Sequence, residues 1–365
     1  MTVAALIYRH RLAGKRAVAW LSRVLPSSAG RRLRALAERV AFSLTPQYQS
    51  DTLPAIFHYW SGHYLAPTAQ RLGIGSPEAF YLDSILKAAQ QSSAPLRVMS
   101  LGSGAASMEI GLADQLRAAG VTAQINCVDF NPGLMRSAAE STKARGLDPW
   151  ISFETLDCNL PFERPSQDII IVNQFFHHVT ELEIFCQSLR KSLAPQGSLL
   201  SSDIIGRNGH QLWPDVEAEV QRIWASLPPE QQFDRHFNAP QSSYRSINHA
   251  AYSNEGVRAQ DIVGCLLAEF DFELFFSFGA AIVPFVERRI GFNFDPGLER
   301  DRGVIDRVEA IDTLALAEER YPTANMIASL RHKNLVTTPV YLPLSPQRHV
   351  ELTQQQLNKI AHSSH

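Results

Sequence analysis

The residues best placed to do chemistry lie where an apolar run ends in two glycines one residue apart, at Leu101-Gly102-Ser103-Gly104-Ala105-Ala106. Glycine permits a tight turn and lets a ligand approach backbone N–H groups at the start of a helix. Alone, the pattern is shared with ordinary strand-to-helix turns. Asp129 adds to it, because it ends a second apolar run and a carboxylate there can accept two hydrogen bonds from a ribose diol. Asp129 or Asn131 also reads as a helix N-cap, since Pro132 follows. His177 and His178 come directly after a further apolar run and are the candidates for taking a proton from an acceptor. One of an adjacent pair usually points away, so one base is expected.

Asp203, His210, Asp234, His236 and His249 raise the question of a metal. No HxH or HExxH spacing appears, and carboxylates and imidazoles at irregular separations are common in polar loops. The expectation is no metal.

The elements that must position these residues follow from periodicity. Apolar runs at 96–101, 123–129, 151–156, 168–173 and 197–203 alternate with helical stretches near 106–119, 132–145 and 180–193. Parallel strands need crossover connections, so this alternation predicts a doubly wound, mainly parallel α/β sheet, seven-stranded. Phe270–Val286 reads as two strand runs about Gly279, a closing antiparallel hairpin. Three units are expected: a helical N-terminal extension over 1–92, the core over 93–290 with an inserted substrate-side lid at 206–262, and a C-terminal helical segment with a tail over 291–365. Within the last, 304–333 reads as helix and nothing regular is assigned after Pro339.

The chain has 365 residues, 45% apolar and 19% charged, which supplies a sizeable core and excludes global disorder. No apolar run is long enough to cross a bilayer. Four cysteines without CxxC pairing point away from a disulfide scaffold and toward a reducing, cytoplasmic setting. The net charge of −2 conceals an asymmetry: residues 1–50 carry nine basic side chains and one acid, against 25 basic and 35 acidic residues in the rest. That basic arm reads as helix, and docking on the acidic body, a targeting segment and association with an anionic membrane surface compete as its role. No DNA-binding pattern accompanies the charge, so nucleic acid is not an expected partner.

Two ligand classes suit the glycine loop. A dinucleotide fold wants G-x-G-x-x-G, and Ser107 stands at the sixth position. S-adenosylmethionine has no phosphate and needs only a cleared backbone. Over roughly residues 90–290 the chain resembles the class I (Rossmann-like) S-adenosylmethionine-dependent methyltransferases. VMSLGSGAAS looks like the family's glycine-rich first motif, INCVDFNPGLMRSA like its second strand with a ribose-binding acid, and TLDCNL like its third-strand tip. DIIIVNQFFHHV and SLAPQGSLLSSDI resemble its fourth and fifth strands. The acid usual two residues before the first glycine is Ser100 here.

The resemblance implies S-adenosyl-L-methionine as cofactor. Gly102, Ser103 and Gly104 would line its methionine end, Asp129 would hold its ribose, Phe130, Asp157 and Cys158 would lie at its adenine, and Asn131 is a further cofactor-binding candidate. Asn173 and Gln174 would stand near the transferable methyl group. On the substrate side the candidates are Trp60, His63, Tyr64, His210, Tyr244 and Arg245. The expected function is methyl transfer to a small or medium-sized metabolite through oxygen, nitrogen or carbon, by in-line displacement with His177 or His178 as base. The alternatives are a non-catalytic binding module that uses residues 1–50 for a partner or membrane, and an NAD-dependent oxidoreductase. Oligomeric state stays open, a homodimer included.

Overall fold

The computed structural model describes residues 52–251 and 253–363; the basic arm, 1–50, lies outside them. The described chain opens with α1 (Ala55–Trp60), a π-turn at Ser61–Leu65 and α2 (Ala66–Arg71), followed by α3 (Pro77–Gln91). Ser76 caps α3 by accepting from the Ala79 N–H, with Pro77 at the first helical position, as its sequence demands.

Strand and helix then alternate: β1 (Leu96–Leu101), α4 (Ser107–Ala118), β2 (Ala123–Asp129), α5 (Pro132–Ala144), β3 (Ile151–Thr155), β4 (Gln167–Asn173), α6 (Leu182–Ser192) and β5 (Leu193–Ile204). The insertion carries α7 (Pro214–Ala225) and a two-residue ladder of β6 (Phe233–Asp234) and β7 (Ala239–Pro240). Next come α8 (Ile262–Glu269), β8 (Phe270–Phe278), α9 (Val283–Val286), α10 (Glu299–Ala317), β9 (Asn325–His332), β10 (Val340–Leu342) and α11 (Pro346–Ser363). No helix among the described residues is long and apolar enough to cross a membrane.

The main sheet has eight strands in the order β10-β8-β9-β5-β4-β1-β2-β3. All its pairings are parallel except those that β9 makes with β5 and β8. Chain order reverses between β1 and β4, so the loops leaving their C-terminal ends splay apart and open a crevice there.

Four expectations need correction. The sheet has eight strands, because β10 adds an edge. The segment 270–286 is not a hairpin: β8 stops at Phe278, Gly279 turns at φ +67°, and Ala280 and Ala281 donate their N–H groups to the buried Asp312 carboxylate of α10. That cap and Pro284, which cannot serve a strand ladder, start the short helix α9. The antiparallel partner of β8 is β9, within the stretch read as helix over 304–333. The tail after Pro339 folds as β10 and α11, so segment 291–365 completes the sheet.

Both faces of the sheet are covered. Met99, Leu101, Val172 and Phe275 pack with Phe185 and Leu189 of α6 and Leu266 of α8. Val98, Ile125, Ile169 and Ile171 pack with Tyr81 and Ile85 of α3 and Leu112 and Leu116 of α4. A third core joins the helical front to the insertion and α10, through Ile56, Trp60, Val220, Trp224, Phe285 and Ile305. The extension and the insertion are thus two sides of one cap.

Candidate active site

The site lies at the C-terminal ends of β1, β2, β4 and β5. Gly102 turns at φ +70° and donates its N–H to Val128 O at 2.8 Å, tying the loop after β1 to the end of β2. Gly104, at φ +56°, donates to Asp129 Oδ2 at 3.0 Å, and Asn131 N–H donates to Asp129 Oδ1 at 2.8 Å. Asp129 is 6% exposed, and burial raises its pKa despite these bonds. Each oxygen keeps a second lone pair for a ribose hydroxyl.

The two glycines serve different needs. A Cβ on Gly104 meets nothing within 4 Å, so the loop presents bare backbone to open space. A Cβ on Gly102 would lie 2.1 Å from Cγ of Phe175, the residue that leads out of β4. Gly102→Ala is therefore expected to cost at least about 2 kcal/mol of stability in urea unfolding, from left-handed strain plus overpacking. Gly104→Ala should cost about 1 kcal/mol and chiefly raise the KM for cofactor. Equal unfolding midpoints for Gly102→Ala and the parent chain would sink the Phe175 argument.

Ser103 Oγ is buried with no hydrogen-bond partner among the described residues. An orphaned hydroxyl beside an open glycine backbone and a carboxylate with spare acceptor capacity is what a polar ligand with a ribose would satisfy. The residues present therefore fit S-adenosylmethionine. Below the loop, Ser100 Oγ donates to Glu109 Oε1 at 2.6 Å, both residues buried, and burial raises the Glu109 pKa. A carboxylate thus stands under the loop after all, supplied by the first turn of α4. Sequence reasoning missed it, although an acid in a first helical turn was there to be read.

Other candidates prove to have structural duties. The Asn131 side chain caps α5 by accepting from Gly133 N–H at 2.9 Å. Asp157 Oδ1 accepts from Asn159 N–H at 3.0 Å, and Asn159 in turn holds Thr180. Cys158 is buried and its thiol is pushed up by burial, so it is no nucleophile. Asn173 Oδ1 accepts from the Tyr81 hydroxyl at 3.1 Å, and Gln174 takes φ +50° at the tip of β4. Phe130 follows Asp129 half-buried.

The second half of the site is a knot of histidines and carboxylates. Asp203, fully buried in β5, accepts from the N–H groups of Phe175 and Phe176 at 2.8 Å each and contacts His177 Nδ1 at 2.6 Å. These bonds bend the chain after β4 and aim the imidazole. His177 Nε2 lies 3.6 Å from Glu255 Oε2, which also lies 3.3 Å from His210 Nε2. Burial pulls the His177 pKa down, but Asp203 and then Glu255 outweigh it and hold it up at about 9. Glu255 is held far below the carboxylate range despite its burial, by its bonds to His177 and His210.

His178 lies tilted against His177 with ring centres 4.1 Å apart, and burial followed by the His177 charge lowers its pKa. His249 is lowered to about 4 by burial, His210 and His236. The pair is therefore unequal, as adjacent histidines should be, with His177 alone on the carboxylates of Asp203 and Glu255.

Of the substrate-side candidates, His210 joins this knot. Trp60 is instead packed in the cap core, its Nε1 donating to Glu309 at 2.7 Å. Tyr64 donates to Asp306, and the exposed His63 stacks on Tyr59. Tyr244 is buried under Arg289, and the exposed Arg245 lies over Phe237. Glu255 was missed altogether, because a single acid in a polar insertion carries no local mark.

Comparison with known proteins agrees with this geometry. Residues 99–201, from β1 into β5, match the family described as methyltransferase domain. The non-reducing polyketide synthase sorB of Penicillium rubens is 26% identical over 146 residues, 39% of this chain and 5% of that one. The citrinin polyketide synthase of Monascus ruber is 25% identical over 124 residues, 33% of this chain and 5% of that one. The chain spans about a twentieth of the length of these relatives. Among solved structures, an O-methyltransferase from a polyketide multienzyme of Brevibacillus brevis, in complex with S-adenosyl-L-homocysteine, aligns at 13% identity. The alignment covers 76% of this chain and 78% of that one, with a TM-score of 0.38. The match to the methyltransferase domain falls on the very strands and loops that carry the glycine turn and Asp129, so it is this part of the chain that resembles the S-adenosylmethionine-dependent methyltransferases.

Proposed function

We propose that the chain methylates a small or medium-sized acceptor at an oxygen or an activated carbon, with His177 as the general base. The observation that carries this reading is the 2.6 Å contact between His177 Nδ1 and the buried Asp203, which leaves Nε2 facing Glu255. An amine needs no such base, whereas a hydroxyl or a methylene between carbonyls does. The polyketide synthase relatives favour an acceptor of polyketide type, rich in both groups.

S-Adenosylmethionine supplies an electrophilic methyl carbon on a sulfonium that departs as a neutral thioether. The chain's part is positional and basic. Gly102, Ser103 and Gly104 would hold the methionine end, Asp129 the ribose, and Phe130, Asp157 and Cys158 would border the adenine. Asn173 and Gln174, at the β4 tip, would lie on the side of the transferable methyl group. In its neutral form, which grows as pH rises toward about 9, His177 Nε2 would take the acceptor proton, with Asp203 stabilising the imidazolium and fixing its tautomer. The acceptor takes the position that Glu255 holds at Nε2. Its other walls come from the cap, among them His210, and His178 supports the His177 ring. Cys127, Cys158, Cys186 and Cys265 are free thiols, which fits a reducing, cytoplasmic setting.

The test offers a β-keto thioester, a phenol and a primary amine with isotopically labelled cofactor, and locates the label by mass spectrometry. Label on the carbon acid or the phenol is expected. Label on the amine alone would overturn the base reading.

A further inference from the structure

The geometry points to a divalent-cation site formed by His177, His210 and Glu255, at which a borderline ion such as Zn2+ would take His177 Nε2 and switch off its base function. One ligand atom from each of the three lies within 4.8 Å of the others. A tetrahedral ion with bonds of about 2.0–2.1 Å has ligand-to-ligand edges of roughly 3.3–3.4 Å. The edges from Glu255 Oε2 are 3.6 Å to His177 Nε2 and 3.3 Å to His210 Nε2. The third edge, between the two imidazoles, is no longer than 4.8 Å, and the partly exposed His210 ring is the one placed to shorten it.

Two further features distinguish this from a chance ion pair. Asp203 holds Nδ1 of His177, the arrangement in which a carboxylate behind an imidazole orients it and raises its basicity toward a metal. The loops bearing the other two ligands are tied together one residue from each. Gly209 N–H donates to Gly256 O at 2.8 Å, with Gly209, His210 and Gly256 all at positive φ. A Cβ on Gly256 would lie 3.0 Å from Gly209 N and 3.1 Å from His210 N, so only glycine allows this approach. Non-glycine residues hold left-handed backbone where the surroundings over-determine it, and His210 does so at φ +56°.

Two imidazoles and one carboxylate suit zinc, nickel or iron(II) better than magnesium or calcium. Three protein ligands leave the fourth position to water. The site overrides the expectation of no metal drawn from irregular spacing, since the ligands converge only through the fold. The switch rests on the reading of His177 as base. A lone pair given to the ion is unavailable to an acceptor proton, so the metal-bound and base forms exclude one another.

The experiment titrates zinc chloride into chelator-stripped full-length protein by calorimetry, with magnesium chloride as the comparison ion. One equivalent of zinc and no magnesium heat are expected. His210→Ala and Glu255→Gln should each weaken zinc binding at least about 10-fold while the circular dichroism stays that of the parent. Methyl transfer by the parent chain should fall in proportion to zinc occupancy, and that by His210→Ala should not respond at the same zinc concentration. No zinc heat, or equal affinity in the parent and both variants, overturns the site. Zinc bound at the site with methyl transfer undiminished overturns the switch, and with it the base reading, while the calorimetric result for the site stands.

Discussion

Replacing His177 with alanine is expected to lower kcat by about 10²–10⁴-fold, the usual worth of a positioned general base. Affinity for S-adenosylhomocysteine should stay within about threefold of the parent, because the imidazole is held by β5 and the insertion, apart from the glycine loop. A merely structural histidine would behave differently. Its loss would lower the melting temperature, and added imidazole would not help. Here millimolar imidazole should restore part of the rate, entering the space the side chain leaves. Asp203→Asn is a harsher change, since Asp203 also receives the N–H groups of Phe175 and Phe176. A His177→Ala enzyme turning over at near-parental rate with saturating substrates would remove His177 from the mechanism.

Removing the Asp129 carboxylate should be the most damaging change for the cofactor. Hydrogen bonds to a charged group are worth about 1.5–3 kcal/mol each, so losing two to the ribose predicts a Kd roughly 100-fold weaker or worse. The same substitution strands the N–H groups of Gly104 and Asn131, and the loop should loosen as well. Calorimetry with S-adenosylhomocysteine checks the first effect. Adding 5′-methylthioadenosine, which keeps the ribose and lacks the amino acid, locates it. Asp129→Ala should lose affinity for both ligands. Undiminished binding of methylthioadenosine would place the carboxylate elsewhere than at the ribose.

Much of the cofactor half was legible because it is local in sequence. A strand ending in Gly102-Ser103-Gly104 can turn only one way into a helix, and Asp129 ends the adjacent strand because β2 pairs with β1 in register. Alternation of apolar runs with helical stretches likewise announced β1 to β5 within a few residues. The misreadings share one cause, competition between local preference and a distant partner. Residues 280–286 are apolar enough for a strand. The Asp312 carboxylate, 31 residues beyond Ala281, captures two of their N–H groups and starts a helix instead. Trp60 was plausible as a substrate wall until Glu309 and the α7–α10 core claimed it.

The sequence by itself therefore determined the kind of fold, the glycine loop after the first strand, the carboxylate that ends the second, and the pair of histidines after the fourth. These depend on hydrophobic period, glycine backbone freedom and adjacency along the chain. The tertiary structure decided which histidine is poised and by what. Asp203 lies 26 residues from His177, and Glu255 lies 45 residues from His210. No spacing rule links such positions. Only the pairing of β4 with β5, and the folding of the insertion back across their ends, brings two imidazoles and two carboxylates within bonding range, because charge and hydrogen bonding act through space.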